Sequence, residues 1–290
     1  MPVSIVLLAI ALLVLALYLS FILPTQWLKV ERVHVDLGIN RKILQISDIH
    51  IEHLRVTPDR IKRLIREERP DLIFWTGDFV ESKHAIVKLH AYLEALYGDI
   101  ADIPSFAVLG NHDYALKNTQ PIIDELTRHG IRVLRNESVD LRDFVLIGMD
   151  DYCTRHHDAE RSFAGVSANK RRVLLQHDPN YILKNDQAFD YMISGHLHGK
   201  QFNIPFFFHL KDMGPLPRMG VYKGLHQLAP KGKDKGNGVR AEALGDARGD
   251  ERSGGANAGS RGAYYISKGI SQSEYNARFW VRSEVTVHQL

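Results

Sequence analysis

Five short polar groups punctuate this chain of 290 residues: Asp48-Ile49-His50, Gly77-Asp78, Gly110-Asn111-His112-Asp113, His177, and Gly195-His196-Leu197-His198-Gly199. Carboxylate, amide and imidazole side chains together make a mixed oxygen and nitrogen donor set of the kind that holds divalent transition metals. Asp-x-His and His-x-His put two donors one residue apart, and along an extended segment both would point to the same side. The neighbouring glycines permit tight turns and close approach of backbone. Each group alone has an ordinary reading. Gly-Asp recurs at Gly98, Gly245 and Gly249, where a turn suffices. A lone His177 is commonly a hydrogen-bonded core histidine. The Asp, Asn and His side chains of these groups, converging on one edge, carry too much uncompensated polarity for a packed core, and a metal site accounts for them together.

Convergence requires elements that deliver these groups to one place. Each follows a short apolar run: KILQIS (42–47), DLIFWT (71–76), SFAVL (105–109), RVLLQ (172–176) and YMIS (191–194). Such runs read as buried strands. FVLIG (144–148) is a sixth, trailed by Asp150 and Asp151. Amphipathic stretches lie between several of them. Thr57 and Pro58 open one as N-cap and first-turn proline, another runs from His84 to Tyr97, and a third from Thr119 to His129. Alternation of strand and helix predicts an α/β fold, and ligands in such folds gather at the carboxyl ends of strands. The later strands have shorter connections, which predicts a second, mixed sheet. AYYISKGI and EVTVHQL, near the C-terminus, read as further strands.

Composition limits the alternatives. With 44% hydrophobic and 24% charged residues the chain is globular, which excludes wholesale disorder, collagen and a multi-span transporter. A net charge of +3 makes no strong case for nucleic acid. One cysteine, Cys153, excludes an internal disulfide and a Cys-rich zinc module. Residues 3–23 contain no charge, and these 21 residues suffice to cross a bilayer core of ~30 Å. Residues 1–28 therefore read as a retained single-pass anchor, with Tyr18 and Trp27 toward its far end as interfacial aromatics; the rival is a cleaved signal peptide, whose apolar region would be shorter, with a basic start and a small-residue cleavage site. Lys29, Arg32, Arg41 and Lys42 follow it, which predicts a cytoplasmic main domain. That domain is expected over 40–290, interrupted by a flexible insertion at 231–262 that holds nine glycines and no aromatic residue. His156, His157 and Asp158 read as a solvated loop. His34, His53, His84, His90, His129 and His288 read as surface or helix-face residues, Trp75 as core, and Phe206 to Phe208 as a semi-exposed loop packed under the sheet edge or touching lipid.

Asp-x-His, Gly-Asp, Gly-Asn-His-Asp, His and Gly-His-x-His in this order resemble the calcineurin-like metallophosphoesterase superfamily, over roughly residues 40–230 and the closing strands. The resemblance implies a two-sheet β-sandwich flanked by helices. It implies one metal held by Asp48, His50, Asp78 and His198, and a second by Asp78, Asn111, His177 and His196. Asp78 would bridge them, and His112 would act on the substrate as the catalytic histidine. Two divalent ions (Mn, Fe, Zn or Ni) would polarise a phosphoryl oxygen and generate hydroxide for in-line attack. With its apolar N-terminus the chain is further similar to the bacterial membrane-attached branch, which implies an inner-membrane enzyme acting on a phosphodiester or pyrophosphate bond. The substrate would be a phosphate ester, a nucleotide or a lipid-linked one, with UDP-2,3-diacylglucosamine pyrophosphatase as an alternative activity. A non-catalytic metal-binding scaffold is the alternative from another class; its signature, loss of ligand residues, is missing. The branch usually reads Gly-Gly-Gln after His-x-His, whereas here Gly199-Lys200-Gln201 places a lysine in the middle, expected to point to solvent.

Overall fold

Residues rich in Ile, Leu, Val and Phe and flanked by turn formers pair into strands when both faces can be covered. A computed structural model describes residues 2–98, 100, 102–185, 187–203, 213–228 and 262–290. Twelve strands among them form two six-stranded sheets. The first has the order β1-β12-β2-β3-β4-β5, built from Lys29–His34, Glu284–Gln289, Lys42–Ile46, Leu72–Thr76, Ser105–Val108 and Ile131–Val133. Strands β2 to β5 run parallel, and β12 is antiparallel to β2. The second has the order β10-β11-β9-β8-β7-β6, from Gly224–Gln227, Ala263–Ile266, Tyr191–Ser194, Arg171–Gln176, Phe144–Met149 and Glu137–Asp140. Strands β7, β8, β9 and β11 are parallel, with β6 and β10 antiparallel at the edges.

Three apolar layers hold the sheets. Helices α3 (Pro58–Glu68), α4 (Ile86–Tyr97) and α6 (Gln120–Arg128) press Ile61, Leu64, Leu89, Leu93, Ile122 and Leu126 onto Leu44, Ile73 and Trp75 of the first sheet. Between the sheets lie Ile43, Phe74, Phe106, Phe144, Leu146, Val173 and Ile193. The outer face of the second sheet carries Ile147, Leu174, Met192 and Tyr264. Each such side chain, fully buried, contributes ~1.5 to 3 kcal/mol. The result is the helix-flanked two-sheet sandwich.

Several expectations change here. The first sheet starts at Lys29, ahead of the domain boundary expected at residue 40, because KVERVH pairs with the late strand β12. His288, expected at the surface, is fully buried: β12 lies between β1 and β2 with both faces covered. The Tyr191 hydroxyl donates to His288 Nδ1 (2.9 Å) and His288 Nε2 donates to Gln45 Oε1 (3.0 Å), while burial pushes the ring's pKa down to about 3. Lys200 does not point to open solvent; its ammonium stands over the Tyr222 ring at 4.3 Å. Phe206 to Phe208 and, apart from Gly262, the insertion expected at 231–262 lie outside the described residues. At the N-terminus, Val3–Gln26 forms one helix of 24 residues, long and apolar enough to cross a membrane, with none of the residues of its first segment, α1 (Val3–Leu17), buried.

Candidate metal centre

The parallel strands β2, β3 and β4 end side by side, so Asp48, Gly77-Asp78 and Gly110-Asn111 meet at one edge. Strands β8 and β9 bring His177, His196 and His198 from the second sheet to the same edge. Packing there is tight. A Cβ on Gly110 would lie 2.2 Å from Asp78 Oδ1, and one on Gly195 would lie 2.0 Å from Ser47 Oγ, so no larger residue fits at either position.

The extended backbone expected for Asp48-Ile49-His50 and His196-Leu197-His198 is not what forms. Asp48 (φ 53°), His50 (φ 33°), His196 (φ 72°) and His198 (φ 47°) all occupy the left-handed region, as does Asp78 (φ 58°). Sharp turns, rather than alternation along a strand, aim these side chains inward. Left-handed non-glycine residues cost ~1 to 2 kcal/mol each, and such strain concentrates where function demands a geometry.

Two triads result. Asp48, His50 and His198 bring one donor atom each within 4.8 Å of one another, and Asp78, His177 and His196 do the same. Asp78 Oδ2 lies between them, 3.5 Å from His50 Nε2 and 3.2 Å from His177 Nε2. Asn111 Oδ1 lies 3.1 Å from His177 Nε2. His177 Nδ1 donates to the Thr76 carbonyl (2.6 Å) and His198 Nδ1 to that of Ser271 (3.3 Å), which turns each Nε2 toward the cavity. His50 Nε2 is buried and has no hydrogen-bond partner among the described residues. An orphaned imidazole nitrogen beside carboxylates is the donor chemistry that a divalent cation satisfies.

The electrostatics agree. Burial opposes ionisation of Asp78, yet the imidazoles of His177 and His50 hold its carboxyl well below the usual range. Burial and the neighbouring His177 push His196 down to about 4. Burial, His50 and Arg278 push His198 down as well. Both rings therefore stay neutral at pH 7 and keep a free lone pair. His177 is drawn upward against its burial by the Asp78 carboxylate. A proton and a cation compete for the same ring nitrogen there.

His112 flanks the triads. Its backbone N–H donates to Asp78 Oδ1 (2.9 Å), its ring meets that of His50 edge to face at 4.8 Å, and its Nε2 lies 3.2 Å from Ser273 Oγ. A cavity of about 360 Å³ opens here, lined by Asp78, Asn111, His112, His196, Cys153 and Ser273 among others.

Other participants were invisible in the motifs. Glu81 Oε1 lies 3.0 Å from His50 Nδ1, and its carboxyl is lowered to about 2 because His50 outweighs burial. Asp113, within Gly-Asn-His-Asp, faces away from the cavity: it accepts from the backbone N–H of Asp78, Phe79, Val80 and Gly110 and so ties two loops together. Burial and Asp78 push it up to about 7. Arg278 is fully buried behind His198 and donates to the carbonyls of Lys268, Gly269 and Ser271. Glu81 stands three residues after Asp78 with no spacing that marks it, and Ser271, Ser273 and Arg278 lie in a late loop with no pattern.

The calcineurin-like phosphoesterase family model matches residues 41–200, the span that supplies every residue of the two triads. An uncharacterized metallophosphoesterase of Bacillus subtilis, YkoQ, is 34% identical over 92% of this chain and 92% of its own length. The UDP-2,3-diacylglucosamine pyrophosphatase LpxG of Chlamydia trachomatis is 27% identical over 57% of this chain and 65% of its own. The phosphodiesterase YaeI of Escherichia coli is 31% identical over 57% and 63%. Strand-end motifs, gathered donors and these similarities agree: the chain belongs to the calcineurin-like phosphoesterase family and is a metal-dependent hydrolase of phosphoester bonds.

Proposed function

We propose that the chain hydrolyses a phosphodiester or pyrophosphate bond with two divalent ions, as a single-pass inner-membrane protein whose catalytic domain follows residues 1–28 and faces the cytoplasm. Asp48, His50, Asp78 and His198 hold one ion, and Asp78, Asn111, His177 and His196 the other. The observation that carries this reading is Asp78 Oδ2, seated between His50 and His177 and hence between the triads. Such ions supply Lewis acidity at the phosphoryl group and an activated water at neutral pH. The protein's part is to fix the donors, to keep His196 and His198 neutral, and to hold His112 at the cavity wall, where it stabilises or protonates the leaving oxygen. Mixed nitrogen and oxygen donors suit Mn, Fe, Zn or Ni. A lipid-linked nucleotide is the finer substrate reading, supported by the apolar helix and by the similarity to LpxG.

The test is phosphorus NMR of the full-length, Mn-loaded protein in detergent with a phosphomonoester, a simple phosphodiester and UDP-2,3-diacylglucosamine. Cleavage of either of the last two is expected. UMP with lipid phosphate would establish the lipid nucleotide, cleavage of the simple diester alone would leave the bond class standing without it, and turnover confined to the monoester would overturn the proposal. A topology reporter at the C-terminus, active only in the periplasm, would overturn the cytoplasmic placement.

A further inference from the structure

The segment from Ser271 to Ser283 is in contact with the metal centre at one end and the apolar helix at the other. At the first end the Ser271 carbonyl accepts from His198 Nδ1, and Ser273 Oγ meets His112 Nε2. Gln201, three residues past His198, donates its amide to the carbonyls of Ser273, Tyr275 and Ala277 at 3.0, 3.0 and 3.1 Å. At the other end the Arg278 N–H donates to the Phe21 carbonyl (3.0 Å), the Phe279 ring packs on Phe21 at 4.9 Å, and Ser283 N–H donates to the Pro24 carbonyl (3.0 Å). A fixed strap therefore ties the site's rim to the far end of the apolar helix.

What this strap exposes is unusual for a soluble surface. Tyr275 is 60% exposed and Trp280 72%, and Trp27, on the helix end beside them, is 53% exposed. Trp280 stands in the left-handed region (φ 56°), where a bulky side chain is rare, and still presents its indole outward. Cations accompany these rings. Arg282 stacks on Trp27 at 4.1 Å, and Arg55 donates to Thr25 Oγ1 (2.7 Å) and to the Asn276 carbonyl (3.2 Å). Tyrosine and tryptophan with arginine nearby, at the end of a helix long enough to span, is the pattern of a bilayer headgroup layer.

We infer that Trp27, Tyr275 and Trp280, with Arg55 and Arg282, seat the rim of the metal centre in the headgroup layer of an anionic phospholipid bilayer, so that the site draws its phosphoester from an amphiphile lying in that surface. This rests on the reading of Val3–Gln26 as an anchor and extends it: the catalytic domain itself touches the membrane. A substrate held in the interface needs its phosphoester to move only laterally to reach a cavity lined by Ser273 and His112.

The test places full-length protein in vesicles of phosphatidylcholine and phosphatidylglycerol, with bromines on the phosphatidylcholine chains just below the headgroups. In the W27F variant two tryptophans remain, Trp75 in the core and Trp280 on the rim, so Trp75 serves as the unquenched reference. Emission quenched in W27F and restored in W27F/W280F, with weaker quenching when phosphatidylglycerol is left out, is the expected result. Protein that floats with the vesicles while both variants are quenched equally would overturn the inference and leave the anchor standing. Protein that does not float would overturn both.

Discussion

Among the described residues, the sheet edge and the pair of helices α4 and α6 both gather histidine beside carboxylate, and they solve the same electrostatic problem differently. On helices α4 and α6, His90 Nδ1 and His129 Nε2 both lie on Glu125 Oε1, at 2.8 and 2.9 Å, while Arg128 donates to Glu125 Oε2 at 2.7 Å. The donor atoms of His90, Glu125 and His129 lie within 4.8 Å of one another, as do those of each triad at the sheet edge. Yet each oxygen of Glu125 is already bonded, and the arginine supplies the positive charge. At the sheet edge no lysine or arginine among the described residues pairs with Asp78, His50 Nε2 has no hydrogen-bond partner, and backbone carbonyls hold the far nitrogens of His177 and His198. Proximity of donor types is thus a poor guide by itself. What separates a metal centre from an ion-pair network is whether the protein supplies its own counter-charge.

That contrast can be broken by substitution. Asp78→Ala removes the oxygen between the two triads and is expected to abolish stoichiometric metal loading and to lower turnover by at least about 1,000-fold, about 4 kcal/mol of transition-state stabilisation. Metal analysis and steady-state kinetics on a phosphodiester check it, and retained activity would refute the bridging role. His112→Ala is expected to lower turnover by ~100-fold to 10,000-fold with metal content unchanged, the range for loss of a proton donor. Lost metal instead would make His112 a ligand. Asp113→Ala leaves buried backbone donors without an acceptor and is expected to cost about 3 kcal/mol in chemical denaturation, with activity falling only as the fold does. Glu125→Gln should change least: about 1 kcal/mol of stability from the weakened bond to Arg128, and no change in bound metal or turnover. A lost metal equivalent in that variant would show that the helical cluster holds an ion after all.

The sheet edge was legible because strands of a parallel sheet end at one side, and a polar residue straight after an apolar run is visible in one dimension. KILQIS, DLIFWT and SFAVL each announced the place of the residues behind them. Local conformation was not legible: side chains at 48, 50, 196 and 198 are gathered by left-handed turns that residue spacing cannot distinguish from an extended segment. His288 misled because the alternation of EVTVHQL suggests a strand with one wet face. In the fold Glu284 and His288 instead meet Tyr265 and Tyr191 in a polar seam between the sheets. Glu81, Ser273 and Arg278 owe their places to loops that meet across more than a hundred residues of sequence or have no repeating pattern. Strands such as β1 and β6 are hidden in one dimension because charged residues among their few apolar ones mask the pattern.

Strand β12 has a consequence for how the molecule is made. It is read from residues 284–289, yet it sits between β1 and β2, which leave the ribosome some 240 residues earlier. Until it arrives, β1 has no partner, and β2 offers an open edge beside the turn that carries Asp48 and His50. Contacts of such long sequence separation form slowly. During synthesis the apolar helix is therefore complete well before the first sheet can close, and the turn that carries Asp48 and His50 keeps an open edge beside it until β12 pairs with β2.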